Sequence, residues 1–213
     1  MGKKDNEKII LNKIYNTNIL NIIETEEPDF IIESKNEIFG VEITEFYYNE
    51  STARLINYNG YKEKILNSKD NSILDKSDIG KITRKELYIY NEKENNWIFL
   101  KNYIGIRYSE NEEMNVFPNY KEVENKIINI IDKKNNKAKK YQKLKYLELI
   151  IQDKEGIKQA YLKELSTSKK IITAIKKSKF KRLYIITGNF LFAYGDNPGE
   201  NINKYSIGSD KNV

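Results

Sequence analysis

The chain has 213 residues with 39% hydrophobic, 32% charged and 12% aromatic residues, enough apolar material for a packed domain and too much for a globally disordered chain. It contains no Cys and no His, which excludes disulfides, thiolate or imidazole metal sites, cysteine nucleophiles and imidazole catalysis; any metal must be a hard cation on oxygen ligands, namely magnesium, manganese or calcium. Thirty-seven basic against thirty-one acidic residues give a formal net charge of +6, a modest excess suited to a polyanionic partner.

The first predicted element is a helix over about 7–23, capped by Asp5 or Asn6. Ile10, Leu11 and Ile14 repeat at helical spacing, and Asn16, Thr17 and Asn18 weaken its middle. Pro28 ends it. Strands follow at 29–33 and 37–48, rich in Ile, Val, Phe and Tyr and joined by a short turn at 34–36. Ser51 caps a helix running to about Leu66, after which 68–78 reads as loop. Three short strands are predicted at 86–90, 97–100 and 104–108. Beyond Pro118 comes a long basic helix at about 120–143, then a buried strand at 146–151 and a helix at 158–177. Strands at 182–187 and 190–194 turn at Gly188-Asn189, and the tail from Gly195 is polar and frayed.

This order predicts an α/β fold with a central mixed β-sheet flanked by helices, in one domain over 1–213. No run approaches the ~20 apolar residues of a membrane-spanning helix, and no secretory signal is visible at the start of the chain. The expected location is cytoplasmic, with no membrane partner.

Charge is concentrated. The segment from Lys121 to Lys145 carries nine Lys against Glu122, Glu124 and Asp132, a net of +6 that equals the charge of the whole chain. Nucleic acid is the expected partner of such a face, through Lys137, Lys140 and Lys143, with Arg54 on the earlier helix as a further phosphate contact. A solvated face is the competing reading. The sixteen Tyr offer stacking surfaces for bases, although Tyr88, Tyr90, Tyr184 and Tyr194 alternate in strands as sheet-face residues do.

Chemistry is concentrated too. Along Phe39-Gly40-Val41-Glu42-Ile43-Thr44 the alternation of a strand puts Val41 and Ile43 on one face and Glu42 and Thr44 on the other. Asp29 opens the preceding strand, so pairing across the turn brings both carboxylates to one end. Two converging carboxylates make a hard-cation site, with the carbonyl of Ile43 a further ligand. Magnesium there would polarise a phosphate and activate water.

Pro28-Asp29 followed by Gly40-Val41-Glu42-Ile43-Thr44 resembles the motif of the PD-(D/E)XK nuclease superfamily, the restriction-endonuclease-like fold. The resemblance covers about residues 5–190 and includes an upstream helix, the strand-turn-strand and a later alternation of helices and strand. It implies a metal-dependent nuclease hydrolysing DNA phosphodiesters with Mg²⁺ or Mn²⁺, in which Asp29 and Glu42 hold the metal. Glu7 matches the helix-borne acid of many members, in competition with Glu24, Glu26 and Glu27. Thr44 stands where the family has Lys, and would orient water.

Lys134 is the proposed replacement for that Lys. At ~100° per residue it falls on one stripe with Ile127, Ile130, Ile131, Ala138 and Tyr141, where a cation needs a partner or a role. Lys137, at the stripe's edge, is second choice, and a snorkelling Lys is the competing reading. The alternative function is a catalytically defective module of the same fold that binds nucleic acid or a nucleoprotein, as an inhibitor or accessory in a phage–host conflict does. A homodimer or a protein partner is compatible with either.

Overall fold

Tyr15 leaves helical geometry for an extended backbone at the point where Asn16, Thr17 and Asn18 follow one another, all poor helix formers. The computed structural model of the protein, which describes residues 2–34, 37–68, 73–107, 118–141 and 144–195, therefore has a shorter first helix than expected. It is α1 (Lys3–Ile14), and Ile22 and Ile23, expected to be helical, lie instead in strand β1 (Asn21–Glu24). The cap is Gly2, whose amide donates to Asp5 Oδ2 at 2.8 Å. Then come β2 (Phe30–Glu33) and β3 (Ile38–Phe46).

Backbone packing divides the chain into two compact units, residues 1–46 with 120–213, and residues 47–119. In the second unit the helix expected over 51–66 is two, α2 (Glu50–Asn57) and α3 (Tyr61–Asn67). The break falls at Gly60, whose φ of 73° lies in the left-handed region that side chains disfavour. Asn49, not Ser51, caps α2: its Oδ1 accepts from the Thr52 amide at 2.9 Å, and its own amide donates to Thr52 Oγ1 at 3.0 Å. The three short strands are one hairpin, β4 (Ile82–Asn91) and β5 (Asn96–Ile106). A bulge at Leu87/Tyr88 lets pairing continue through 101–103, which had read as a polar turn. Ile65, Leu74 and Ile82 form a small core under the base of the hairpin.

The first unit continues with α4 (Tyr120–Ala138), β6 (Leu147–Asp153), α5 (Gln159–Ser166), α6 (Lys169–Lys176), β7 (Phe180–Thr187) and β8 (Phe190–Gly195). The helix expected over 158–177 is split because Ser168 starts a new one, its hydroxyl accepting from the Ile171 amide at 3.2 Å. The tail expected to fray beyond Gly195 lies outside the described residues.

Six strands form one mixed sheet in the order β1-β2-β3-β6-β7-β8. β1, β2 and β3 are antiparallel, β3, β6 and β7 parallel, and β8 closes antiparallel. The α/β class with a central mixed sheet flanked by helices is thus present. Ile10, Leu11 and Ile14 of α1, with Tyr15 just past it, pack against Phe39, Val41, Ile43, Ile150 and Tyr184, each buried aliphatic or Phe side chain contributing ~1.5–3 kcal/mol. On α4 the apolar stripe is buried at Val123, Ile127, Ile131 and Ala138. Among the described residues no helix is long and apolar enough to cross a membrane.

Candidate functional site

Gly40 sets up the site. A Cβ there would meet Pro28 Cγ at 2.6 Å, Leu147 Cδ2 at 2.7 Å and Leu144 Cδ1 at 2.8 Å, so only glycine lets the Pro28 ring lie against β3. The next residue, Asp29, is fixed in turn: its Oδ2 accepts from the Ile43 amide at 2.8 Å. Phe30 pairs with Val41, so Asp29 stands just before the first paired residue of β2.

Glu42 is fully buried. Lys134 Nζ donates to its Oε1 at 2.7 Å and the Tyr141 hydroxyl donates to its Oε2 at 2.6 Å. Lys137 Nζ stands 3.7 Å from Oε1, 3.8 Å from Glu27 and 5.8 Å from the Tyr141 ring. Both partners come from the stripe of α4 and the turn that ends it, seven residues apart and so on one side of the helix. Burial, then the bond to Glu42, raises the Tyr141 phenol well above its ordinary range, so it acts as a fixed donor.

Asp29 is buried, and burial raises its pKa. The Ile43 amide opposes that rise, Glu42 and Glu7 add to it as like charges, and Lys134 lowers it. Lys4, absent from the sequence-based candidates, reaches over from α1. Its Nζ lies 3.7 Å from Asp29 Oδ1 and 3.4 Å from Glu7 Oε2, and it donates to the Thr25 carbonyl at 2.7 Å. Its i,i+3 spacing to Glu7 was visible in sequence; its reach to Asp29 was not.

Beside these groups opens a cavity of about 350 Å³, lined by Glu7, Ile10, Ile43, Thr44, Glu45 and Lys134 among others. Thr44 is half-buried in its wall. Glu7 is buried, and its Oε2 has no hydrogen-bond partner. Of the acids that competed with it, Glu24 lies on exposed β1 and is ion-paired with Lys8, whereas half-exposed Glu27 shares Lys137 with Glu42.

A second buried glutamate shows what a purely structural pair looks like here. Glu148, paired with Val41 across the sheet, receives Arg182 Nη1 at 2.6 Å and the Tyr15 hydroxyl. Glu148 and Arg182 do not line the cavity, and neither do Glu42 or Asp29; Lys134 does, with Glu7 and Thr44. Comparison with protein-family models, curated proteins and solved structures finds no match to this chain.

The remaining expected contacts are scattered. Lys140 is exposed just past α4, and Lys143 lies outside the described residues. Arg54 belongs to the second unit, where its Nε donates to buried Asp78 at 2.9 Å and its Nη2 reaches the same carboxylate. Among the described residues no three acidic side chains form a group able to hold a metal ion. A magnesium-type cation asks for less: one or two carboxylates, with water and substrate phosphate completing its shell. Asp29 and Glu42 are the carboxylates such a cation would use; in this structure both Glu42 oxygens are engaged by Lys134 and Tyr141, and Asp29 Oδ2 by the Ile43 amide.

Proposed function

We propose that the protein is a metal-dependent nuclease of restriction-endonuclease-like fold, hydrolysing DNA phosphodiester bonds at the cavity beside β3. The observation that carries this reading is the Lys134–Glu42 pair at 2.7 Å. It puts a lysine from α4 beside the strand whose own lysine position is occupied by Thr44, and that lysine also lines an open cavity. The upstream helix, the strand-turn-strand and the later helix and parallel strand support the fold assignment.

Asp29, Glu42 and the Ile43 carbonyl would hold Mg²⁺ or Mn²⁺, which when bound supplies positive charge that polarises a phosphate and acidifies water. The chain's own groups divide the rest. Lys134 presents its ammonium to a phosphate in the cavity, Tyr141 keeps Glu42 oriented, and the Thr44 hydroxyl in the wall positions water. Glu7, whose Oε2 lies 3.4 Å from Lys4 and has no hydrogen-bond partner, accepts a hydrogen bond from that water. The lysines of α4 and the turn beyond it hold the polyanion.

One observation favours a catalytically defective nucleic-acid binder: both oxygens of Glu42 already have partners within the chain. Cleavage of plasmid and single-stranded DNA with magnesium, manganese and chelator decides between them. Cleavage that chelator abolishes, and that Lys134→Met and Asp29→Asn each abolish, is the expected result. Binding without cleavage in wild type, with cleavage appearing in Thr44→Lys, would establish the defective binder instead.

A further inference from the structure

The hairpin of the second unit is apolar where it should be polar. From Glu86 to Lys101 every residue except Asn91 is exposed, yet this stretch holds the largest collection of exposed hydrophobic side chains among the described residues. Tyr88 faces Phe99 and Tyr90 faces Trp97 across the ladder, with ring centroids 5.7 and 5.1 Å apart. These four rings line one face; Leu87, Ile89 and Ile98 lie on the other. An isolated two-stranded ribbon is marginal in water, and contiguous apolar patches of this kind mark interaction sites.

The aromatic face is prepared for burial. The Tyr88 hydroxyl donates to Glu86 at 2.6 Å and the Tyr90 hydroxyl is bonded to Asn95, so covering the two tyrosine rings strands neither hydroxyl. The rings are 42–67% exposed, and with ~150–250 Å² available on each bare aromatic side chain, they leave on the order of 500 Å² open. Two such faces give ~1,000 Å², the area a specific interface needs.

Charge selects the occupant. The tip carries Glu92 and Glu94 around Lys93; on the lower arm Arg84 shares the ring face with Glu86, 3.9 Å from it, while Lys85 and Lys101 belong to the opposite face with Leu87. An antiparallel pair of arms lays each acidic tip against Arg84 on the other's stem, a self-complementary arrangement that a two-fold axis generates. A polynucleotide finds no such match, because the carboxylate of Glu86 lies on the same ribbon face as the rings.

We infer that two copies of this chain associate arm to arm, aromatic face on aromatic face, with the hairpins antiparallel. This reading is independent of the nuclease proposal.

Trp97 is the only tryptophan of the chain and is 67% exposed, so its emission reports the docking directly. Fluorescence and sedimentation over a 100-fold concentration range should show a blue shift of Trp97 emission in step with a doubling of mass. Trp97→Arg with Phe99→Ser, on exposed positions, should hold the protein monomeric with an unchanged far-ultraviolet dichroism spectrum. Because the chain lacks Cys, engineered cysteines read the direction: mixed Glu94→Cys and Arg84→Cys proteins should form a cross-linked dimer, and Glu94→Cys alone should not. A monomeric mass with unshifted emission throughout overturns the inference. So does a doubled mass without an emission shift, a disulfide between two Glu94→Cys tips, or quenching of Trp97 by oligothymidylate without any change in protein mass.

Discussion

Lys134 Nζ and Glu42 Oε1 lie 2.7 Å apart although 92 residues separate them in sequence. The Glu42 side chain keeps 1% of its exposure, while that of Lys134 keeps 23% and lines the cavity. A buried carboxylate is costly without compensation, and here it has two donors, one of which also faces open space. The pair therefore stabilises the strand and presents a cation at the same time.

Lys134→Met should cost up to ~3 kcal/mol of stability. Removing one partner of a buried pair typically costs ~3–5 kcal/mol, but Lys137 at 3.7 Å and Tyr141 remain to hold the charge. Denaturant unfolding measures it. The double change Lys134→Met with Glu42→Gln should recover part of the loss; no recovery would mean that the two side chains are not coupled.

Asp29→Asn should stabilise the protein at neutral pH while removing metal-dependent activity. The folded state raises this carboxyl above its usual 3.8, so folded Asp29 holds its proton more firmly than unfolded Asp29. Stability contributed by the group is complete below the unfolded value and falls as pH rises through the folded one. The gain in Tm of the Asn variant should therefore be present at pH 7 and vanish near pH 3. A variant equally stabilised at both pH values would place the effect outside Asp29 ionisation.

Gly40→Ala should destabilise by about 1–3 kcal/mol, the usual cost of overpacking. The added methyl meets the Pro28 ring at 2.6 Å, and a ring cannot rotate aside as the leucine tips can. A Tm within a degree of wild type would show that the segment carrying Asp29 moves freely.

Replacing Lys137, Lys140 and Lys143 by Glu should weaken DNA binding and flatten its dependence on salt. Each lost phosphate contact lowers the slope of log K against log salt by ~0.9 for duplex DNA. Titrations at several salt concentrations test this; unchanged affinity and slope would reassign the lysines to ordinary solvation.

The strand alternation of residues 39–44 determined that Glu42 and Thr44 face away from Val41 and Ile43, and helical periodicity put Lys134 and Tyr141 on one stripe. Both are consequences of backbone geometry within a few residues, and such local repeats are legible without a fold. What met that stripe was not. Only docking of α4 on the sheet brought Lys134 and Tyr141 to Glu42, and only the packing of α1 beside β2 brought Lys4 to Asp29. The joining of two short strand signals into β5, and the breaks at Gly60 and Ser168 in two apparently continuous helices, were likewise decided by cross-strand pairing and by caps competing with helix propagation. Residues far apart in sequence meet through the sum of many weak burial energies, and no single segment encodes that sum.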